Sequence, residues 1–125
     1  MKKLEKHILL IEDKSEIITE ITTSLKDSGY KVFPAKNTPG AVKYLKNKLP
    51  DLVITDISLP KTDGFQFLDY LRKLPGTSMI PVIFLSAKID STILKKIISY
   101  NVNNYLKIPF KTSDIKRIVN ELLKV

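Results

Sequence analysis

At 125 residues, with 43% hydrophobic and 27% charged positions, the chain is long enough for one sizeable core and too short for two, so a single domain over 1–125 is expected. It has no cysteine, which excludes disulfides and thiolate metal sites, its lone His7 cannot make a metal site by itself, and no apolar stretch reaches the ~18 residues of a membrane span; a reducing, cytoplasmic setting fits. The excess of 21 basic over 13 acidic residues permits an acidic partner, but nineteen of the 21 are lysines spread along the chain and only Arg72 and Arg117 offer a bidentate fork, so direct nucleic-acid binding is not expected.

The first apolar run, HILLI at 7–11, has the composition of a buried parallel strand, and the lysine-rich start before it turns acidic too soon for a secretory signal. Ile17, Ile18, Ile21 and Leu25 then recur at helical spacing, with Ser15 placed to cap that helix, Glu16 in its first turn and Gly29 at its end. KVFPA (31–35) reads as a second strand, followed by a helix carrying Ala41, Val42 and Leu45. LVIT (52–55) reads as a third, followed by a helix carrying Phe65, Phe67, Leu68 and Leu71. VIFLS (82–86) precedes Ile93, Leu94, Ile97 and Ile98, and NYLKI (104–108) precedes Ile115, Ile118, Val119, Leu122 and Leu123, while Pro60, Pro75, Pro81 and Pro109 fall in connections. Strand and helix alternate five times, which predicts an α/β fold with a parallel sheet, helices on both faces and right-handed crossovers. Ligands in such sheets bind beyond the carboxyl ends of the strands.

Three carboxylates stand at that edge: Glu12 and Asp13 after the first strand and Asp56 after the third. Like charges at close quarters are unfavourable unless a cation lies among them, and a hard divalent ion such as Mg²⁺, which takes carboxylates, waters and phosphate oxygens, suits these ligands. Any one of the three alone is more simply a helix cap or a solvated loop group. As a set they have company: PDLVITDISLPKTDGF places Pro60, Asp63 and Gly64 at fixed offsets from Asp56, and VIFLSA ends the fourth strand on the hydroxyl of Ser86 followed by the small Ala87.

From His7 to Leu123 these motifs closely resemble the receiver domains of two-component response regulators, of the chemotaxis-regulator kind. The resemblance implies a doubly wound (βα)5 flavodoxin-like fold with strand order 2-1-3-4-5. It implies that Asp56 is the phosphoacceptor, taking a phosphoryl group from a sensor histidine kinase, a phosphotransfer protein or a small phosphodonor. It further implies that Asp13, Asp56 and the backbone carbonyl of Ser58 ligate Mg²⁺ while Glu12 holds a metal-bound water. Ser86 then bonds the phosphoryl oxygens, Ala87 is the small neighbour, Tyr105 is the aromatic that follows the switch, and the bond before Pro109 is cis. Such a domain catalyses only its own phosphorylation and dephosphorylation. Physically this division of labour is sound, because phosphoryl transfer asks for positioning and charge neutralisation more than covalent chemistry.

The same resemblance expects a lysine immediately before Pro109, where this chain has Ile108. Lys107 stands one residue early, and side chains alternate faces along a strand, so it points away from the site unless a bulge redirects it. Lys88 and Lys61 are substitutes by position, though both read more simply as surface lysines. The alternative to a phosphoacceptor with altered kinetics is a pseudo-receiver, a binding module independent of phosphorylation. An electron carrier of the same topology is disfavoured because acids occupy the place of a flavin-phosphate loop, and a hydrolase because no histidine is placed as a general base. The resemblance places the output surface on the fourth helix, fifth strand and fifth helix. Lys95, Lys96, Lys107, Lys111, Lys116 and Arg117 there predict an acidic protein partner. The chain is either a single-domain regulator or a segment of a longer protein.

Overall fold

The computed structural model describes residues 5–60, 62–102 and 104–123. The elements alternate as the sequence predicts: β1 (His7–Ile11), α1 (Ser15–Asp27), β2 (Lys31–Ala35), α2 (Thr38–Leu45), β3 (Leu52–Asp56), α3 (Gly64–Lys73), β4 (Val82–Ser86), α4 (Ser91–Ser99), β5 (Asn104–Lys107) and α5 (Thr112–Leu123). All neighbouring strands are parallel, in the order β2-β1-β3-β4-β5. The fold is therefore the doubly wound (βα)5 arrangement expected.

Every residue of β3 and β4 is buried, which explains why those segments read as continuous apolar runs and not as alternating ones. Their side chains divide between two cores. Leu9, Ile11, Val53, Val82 and Phe84 face α2, α3 and α4 through Ala41, Leu45, Phe67, Leu68, Leu71 and Ile97. Ile8, Leu10, Leu52, Ile54, Ile83 and Leu85 face α1 and α5 through Ile17, Ile21, Leu25, Ile115 and Val119. Each fully buried aliphatic side chain contributes roughly 1.5–3 kcal/mol, so the sheet is a stiff platform for whatever stands at its rim.

Helix ends show where local chemistry departs from the sequence reading. Ser15 is the first helical residue of α1 and not its cap; Lys14 holds the extended N-cap conformation (φ −88°, ψ 118°) and makes no side-chain capping bond. Side-chain caps occur instead at Asn37, Asp63 and Asp90, each accepting from the amide three residues on. At Asp63 the box is reciprocal, since Gln66 accepts from the Asp63 amide. Gly29 follows α1 at φ +92°, a conformation that favours glycine.

Two strand limits also differ from the sequence reading: β3 runs on to Asp56, and β5 stops at Lys107. Ile108 still donates its amide to the Ser86 carbonyl at 2.8 Å, but Pro109 has no N–H to carry the ladder further. No helix among the described residues is long and apolar enough to cross a membrane.

Candidate functional site: an acid cluster at the carboxyl edge

Strand order reverses at β1, so the chain leaves β1 for α1 and β3 for α3 on opposite faces of the sheet and opens a crevice between the two strands. The register pairs Ile11 with Thr55, which puts the next residues, Glu12 and Asp56, side by side at the rim. Ligand oxygens of Glu12, Asp13 and Asp56 all lie within 4.8 Å of one another. Glu12 is fully buried and Asp56 is 3% exposed, while Asp13 reaches solvent. The structure thus brings together the three acids that the sequence singles out.

Their hydrogen bonds are incomplete. Glu12 Oε2 accepts the Lys14 amide at 3.0 Å, but Oε1 is buried without a partner. Asp56 Oδ1 accepts the Ser58 amide at 3.0 Å. Burial pushes the Glu12 carboxyl up to about 7; the Lys14 amide pulls it down, and the charge of Asp56 raises it further. Burial likewise raises Asp56, against the lowering effect of the Ser58 amide. A buried carboxylate oxygen with no donor, next to two further carboxylates, is a coordination position for a hard cation. The donor set is all oxygen, and these residues fit Mg²⁺.

Beside the acids is a cavity of about 220 Å³ lined by Lys14, Asp56, Ser58, Ser86, Ala87 and Ile108, among others. A larger hollow of about 550 Å³ at Thr22, Lys26 and Tyr30 borders the start of β2, at the opposite end of the strands from the acids. The chemistry sits at the smaller one. Ser86 is buried at the end of β4, and its hydroxyl donates to the Lys88 carbonyl at 2.7 Å and accepts the Lys88 amide at 3.2 Å. Ala87 is exposed at the cavity wall, and Tyr105 is 38% exposed on β5. The Ile108–Pro109 bond is cis.

Lys107 is not brought to the site. The β4–β5 register runs one for one from Ile83–Asn104 to Ser86–Lys107, with no bulge, so alternation turns Lys107 outward and Ile108 inward. Lys107 is exposed and Ile108 packs against the α1/α5 core. Lys88 lines the cavity, but its ammonium is 3.7 Å from Asp90. Lys61 lies outside the described residues. The side chain that sequence reasoning missed is Lys14, whose Nζ is 3.8 Å from Asp13 Oδ1 and 4.0 Å from Asp56 Oδ2. Its adjacency to Asp13 marked it as near the acids, but nothing in the sequence fixes the direction of its side chain.

Gly64 supports the site from behind. Its amide donates to the Ile57 carbonyl at 2.8 Å, and a Cβ there would stand 2.6 Å from the Asp56 carbonyl oxygen. On the expected output face, Arg117 is paired within its own helix to Asp114 (3.7 Å) and Glu121 (3.6 Å), and Lys96 lies 4.7 Å over the Phe65 ring. Two of the six basic groups there are thus engaged locally.

The family model described as the response regulator receiver domain matches residues 8–120. Response regulator Rre1 of Synechocystis sp. is 36% identical over 119 residues, covering 93% of this chain and 51% of that protein. The chain spans about half the length of the first curated relatives it matches. The signal receiver domain of a signal transduction histidine kinase from Syntrophus aciditrophicus superposes with a TM-score of 0.86 at 27% identity, covering 95% of this chain and 90% of that one. Chemotaxis response regulator CheY4 of Vibrio cholerae shares the fold at a TM-score of 0.88 and 19% identity, covering 95% of this chain and 99% of that one. With the match running through both cores and both acid-bearing strand ends, the chain belongs to the response regulator receiver domains of two-component signalling.

Proposed function

We propose that this receiver domain is a Mg²⁺-dependent phosphoacceptor that takes a phosphoryl group on Asp56 from a sensor histidine kinase or phosphotransfer protein and acts in the cytoplasm. The observation that supports this reading is the three-carboxylate cluster, with its unpartnered Glu12 Oε1, whose Asp56 lines a cavity shared with Ser86 and Ala87. Glu12, Asp13, Asp56 and the Ser58 carbonyl are the groups that would hold the ion. When bound, it supplies the positive charge that offsets both the carboxylate and the incoming phosphoryl oxygens.

The chain's own residues do the rest. The Ser58 amide fixes the Asp56 carboxylate for attack on phosphorus. The donor's bond to phosphorus breaks as the new O–P bond forms, and the leaving group departs with the electron pair. Ser86 must exchange its bonds to Lys88 for the phosphoryl oxygens, and that movement of the β4–α4 loop is the step by which the modification is sensed. The domain acts only on itself and is not an enzyme for other substrates. Its output is an acidic protein surface meeting the α4–β5–α5 face, with an affinity that falls as salt rises; an affinity indifferent to salt would oppose that surface. Nucleic acid is not part of this reading.

The direct test is intact-mass detection of a phosphorylated species after incubation with acetyl phosphate and Mg²⁺. Wild type should gain one phosphoryl group and Asp56→Asn none. A second reading, the pseudo-receiver, is favoured by Ile108 in the place of the usual lysine. It predicts no phosphorylated species and no affinity for Mg²⁺ in the millimolar range.

A further inference from the structure

The geometry points to Lys14 as a relocated phosphoryl-binding cation, supplied from the end of β1 in place of the position before Pro109; this rests on Asp56 being the acceptor. The lysine is held by its backbone on two sides. Its amide donates to Glu12 Oε2 at 3.0 Å, and its carbonyl accepts the Ile18 amide at 3.0 Å at the start of α1. From that fixed point the side chain reaches the rim of the 220 Å³ cavity, where its ammonium lies 4.0 Å from Asp56 Oδ2 and 3.8 Å from Asp13 Oδ1.

Ile108 lines the same cavity with an apolar side chain. Among the described lysines, Lys107 faces outward and Lys88 pairs with Asp90, while Lys14 pairs with the acceptor carboxylate itself. This also accounts for Lys14 at the N-cap of α1, a position that prefers a short polar side chain and a helix end that disfavours positive charge. A lysine there forgoes a side-chain cap and places its ammonium in the cavity instead.

During transfer Lys14 stays protonated. Asp56 forms the new bond to phosphorus, the phosphorus–oxygen bond of acetyl phosphate breaks, and acetate leaves with the electron pair. The ammonium balances charge that has passed from donor to acceptor. Mg²⁺, held by the acid cluster, would supply further positive charge there, and Lys14 supplies the chain's own.

The test is the rate of phosphorylated-protein formation from acetyl phosphate, by quenched intact mass, for wild type, Lys14→Met, Ile108→Lys and the double variant, together with Mg²⁺ affinity by calorimetry. Lys14→Met should slow formation about tenfold, the low end for a charge-assisted bond because the Lys14 side chain is more than half exposed. The double variant should recover most of that loss, since it returns a cation to the cavity from position 108. Mg²⁺ should bind Lys14→Met more tightly than wild type, because a repelling charge has gone. A purely structural role for Lys14 would weaken metal binding and rate together.

The inference is overturned by a Lys14→Met rate within twofold of wild type, by weakened Mg²⁺ binding in that variant, or by no recovery on adding Ile108→Lys. Wild type that gains no phosphoryl group overturns the acceptor assignment itself, a result distinct from wild type that is modified at a rate indifferent to Lys14.

Discussion

Replacing Asp56 by Asn should stabilise the metal-free protein, because folding holds three carboxylates with ligand oxygens within 4.8 Å of one another. At that separation two unit charges repel by about 1 kcal/mol at the dielectric of water and by about 3 kcal/mol at an effective value near 20. Asp56 and Glu12 are buried, which favours the upper figure; Asp13 is exposed, which favours the lower. Asn keeps the acceptor for the Ser58 amide at nearly the same volume, and the ion pair to the half-exposed Lys14 at 4.0 Å is worth under about 1 kcal/mol. The balance is a gain of about 1–2 kcal/mol, or roughly 3–8 °C in Tm for a domain of this size. Glu12 sets the pH dependence. Its folded pKa of about 7 lies above the usual 4.5, so its contribution to stability is fully present below pH 4.5 and is lost as pH rises through 7. The advantage of the variant should therefore grow from acid pH to about pH 8, where Glu12 is charged. Circular-dichroism melts and urea titrations in EDTA and in millimolar Mg²⁺ check this: Mg²⁺ should raise wild type more than the variant and narrow the gap. A variant less stable than wild type in EDTA, or one that gains as much from Mg²⁺, would refute the electrostatic account.

Gly64→Ala should destabilise by about 1–3 kcal/mol, seen as a lower urea midpoint, because the new Cβ meets backbone atoms, the Asp56 carbonyl oxygen at 2.6 Å and Ile57 Cα at 3.1 Å, which cannot swing away. Its phosphorylation rate should fall as well, since the displaced backbone carries the acceptor. Thr77→Val should lose about 1–3 kcal/mol at nearly constant volume: the buried hydroxyl contacts the Leu71 and Leu74 carbonyls at 2.7 and 2.9 Å at the end of α3, and the change removes that donor, leaving the Leu71 carbonyl only the Leu74 amide. Thr77→Ser, which keeps the hydroxyl, should remain within about 1 kcal/mol of wild type in the same titration.

The strands were legible because a parallel sheet covered on both sides needs apolar side chains at consecutive positions, and HILLI, LVIT and VIFLS supply them. The acids were legible because β1 and β3 are neighbours and both end on carboxylates, so topology alone brings Glu12 and Asp56 together. What escaped is decided by backbone conformation or by reach. Ser15 and Lys14 compete for one cap, and the chain settled it by placing Lys14 in extended geometry with its amide on Glu12. The Ser86 hydroxyl is turned to Lys88 by a local loop that no pattern of residue types encodes. The direction of Lys107 was predictable only once a bulge was excluded, and register is a property of two strands, not one. A lysine's long side chain has many directions, so its contact with Asp56 could not be read from its adjacency to Asp13.

The same geometry argues against a merely solvated role for the acids. A carboxylate kept for solubility would stand in water, and a capping carboxylate would satisfy its oxygens on helix amides. Glu12 does neither, with one oxygen on the Lys14 amide and the other buried and unpartnered. Such an arrangement is unfavourable for the ionised carboxylate, and above about pH 7, where a proton no longer takes the open oxygen, a cation makes it favourable. Ile108 sharpens this. Its apolar side chain lines the cavity beside Asp56 and offers neither charge nor hydrogen bond to it. With no cation supplied from the position before Pro109, charge neutralisation at Asp56 falls to the groups that remain, and the ammonium of Lys14 is already within 4.0 Å of that carboxylate.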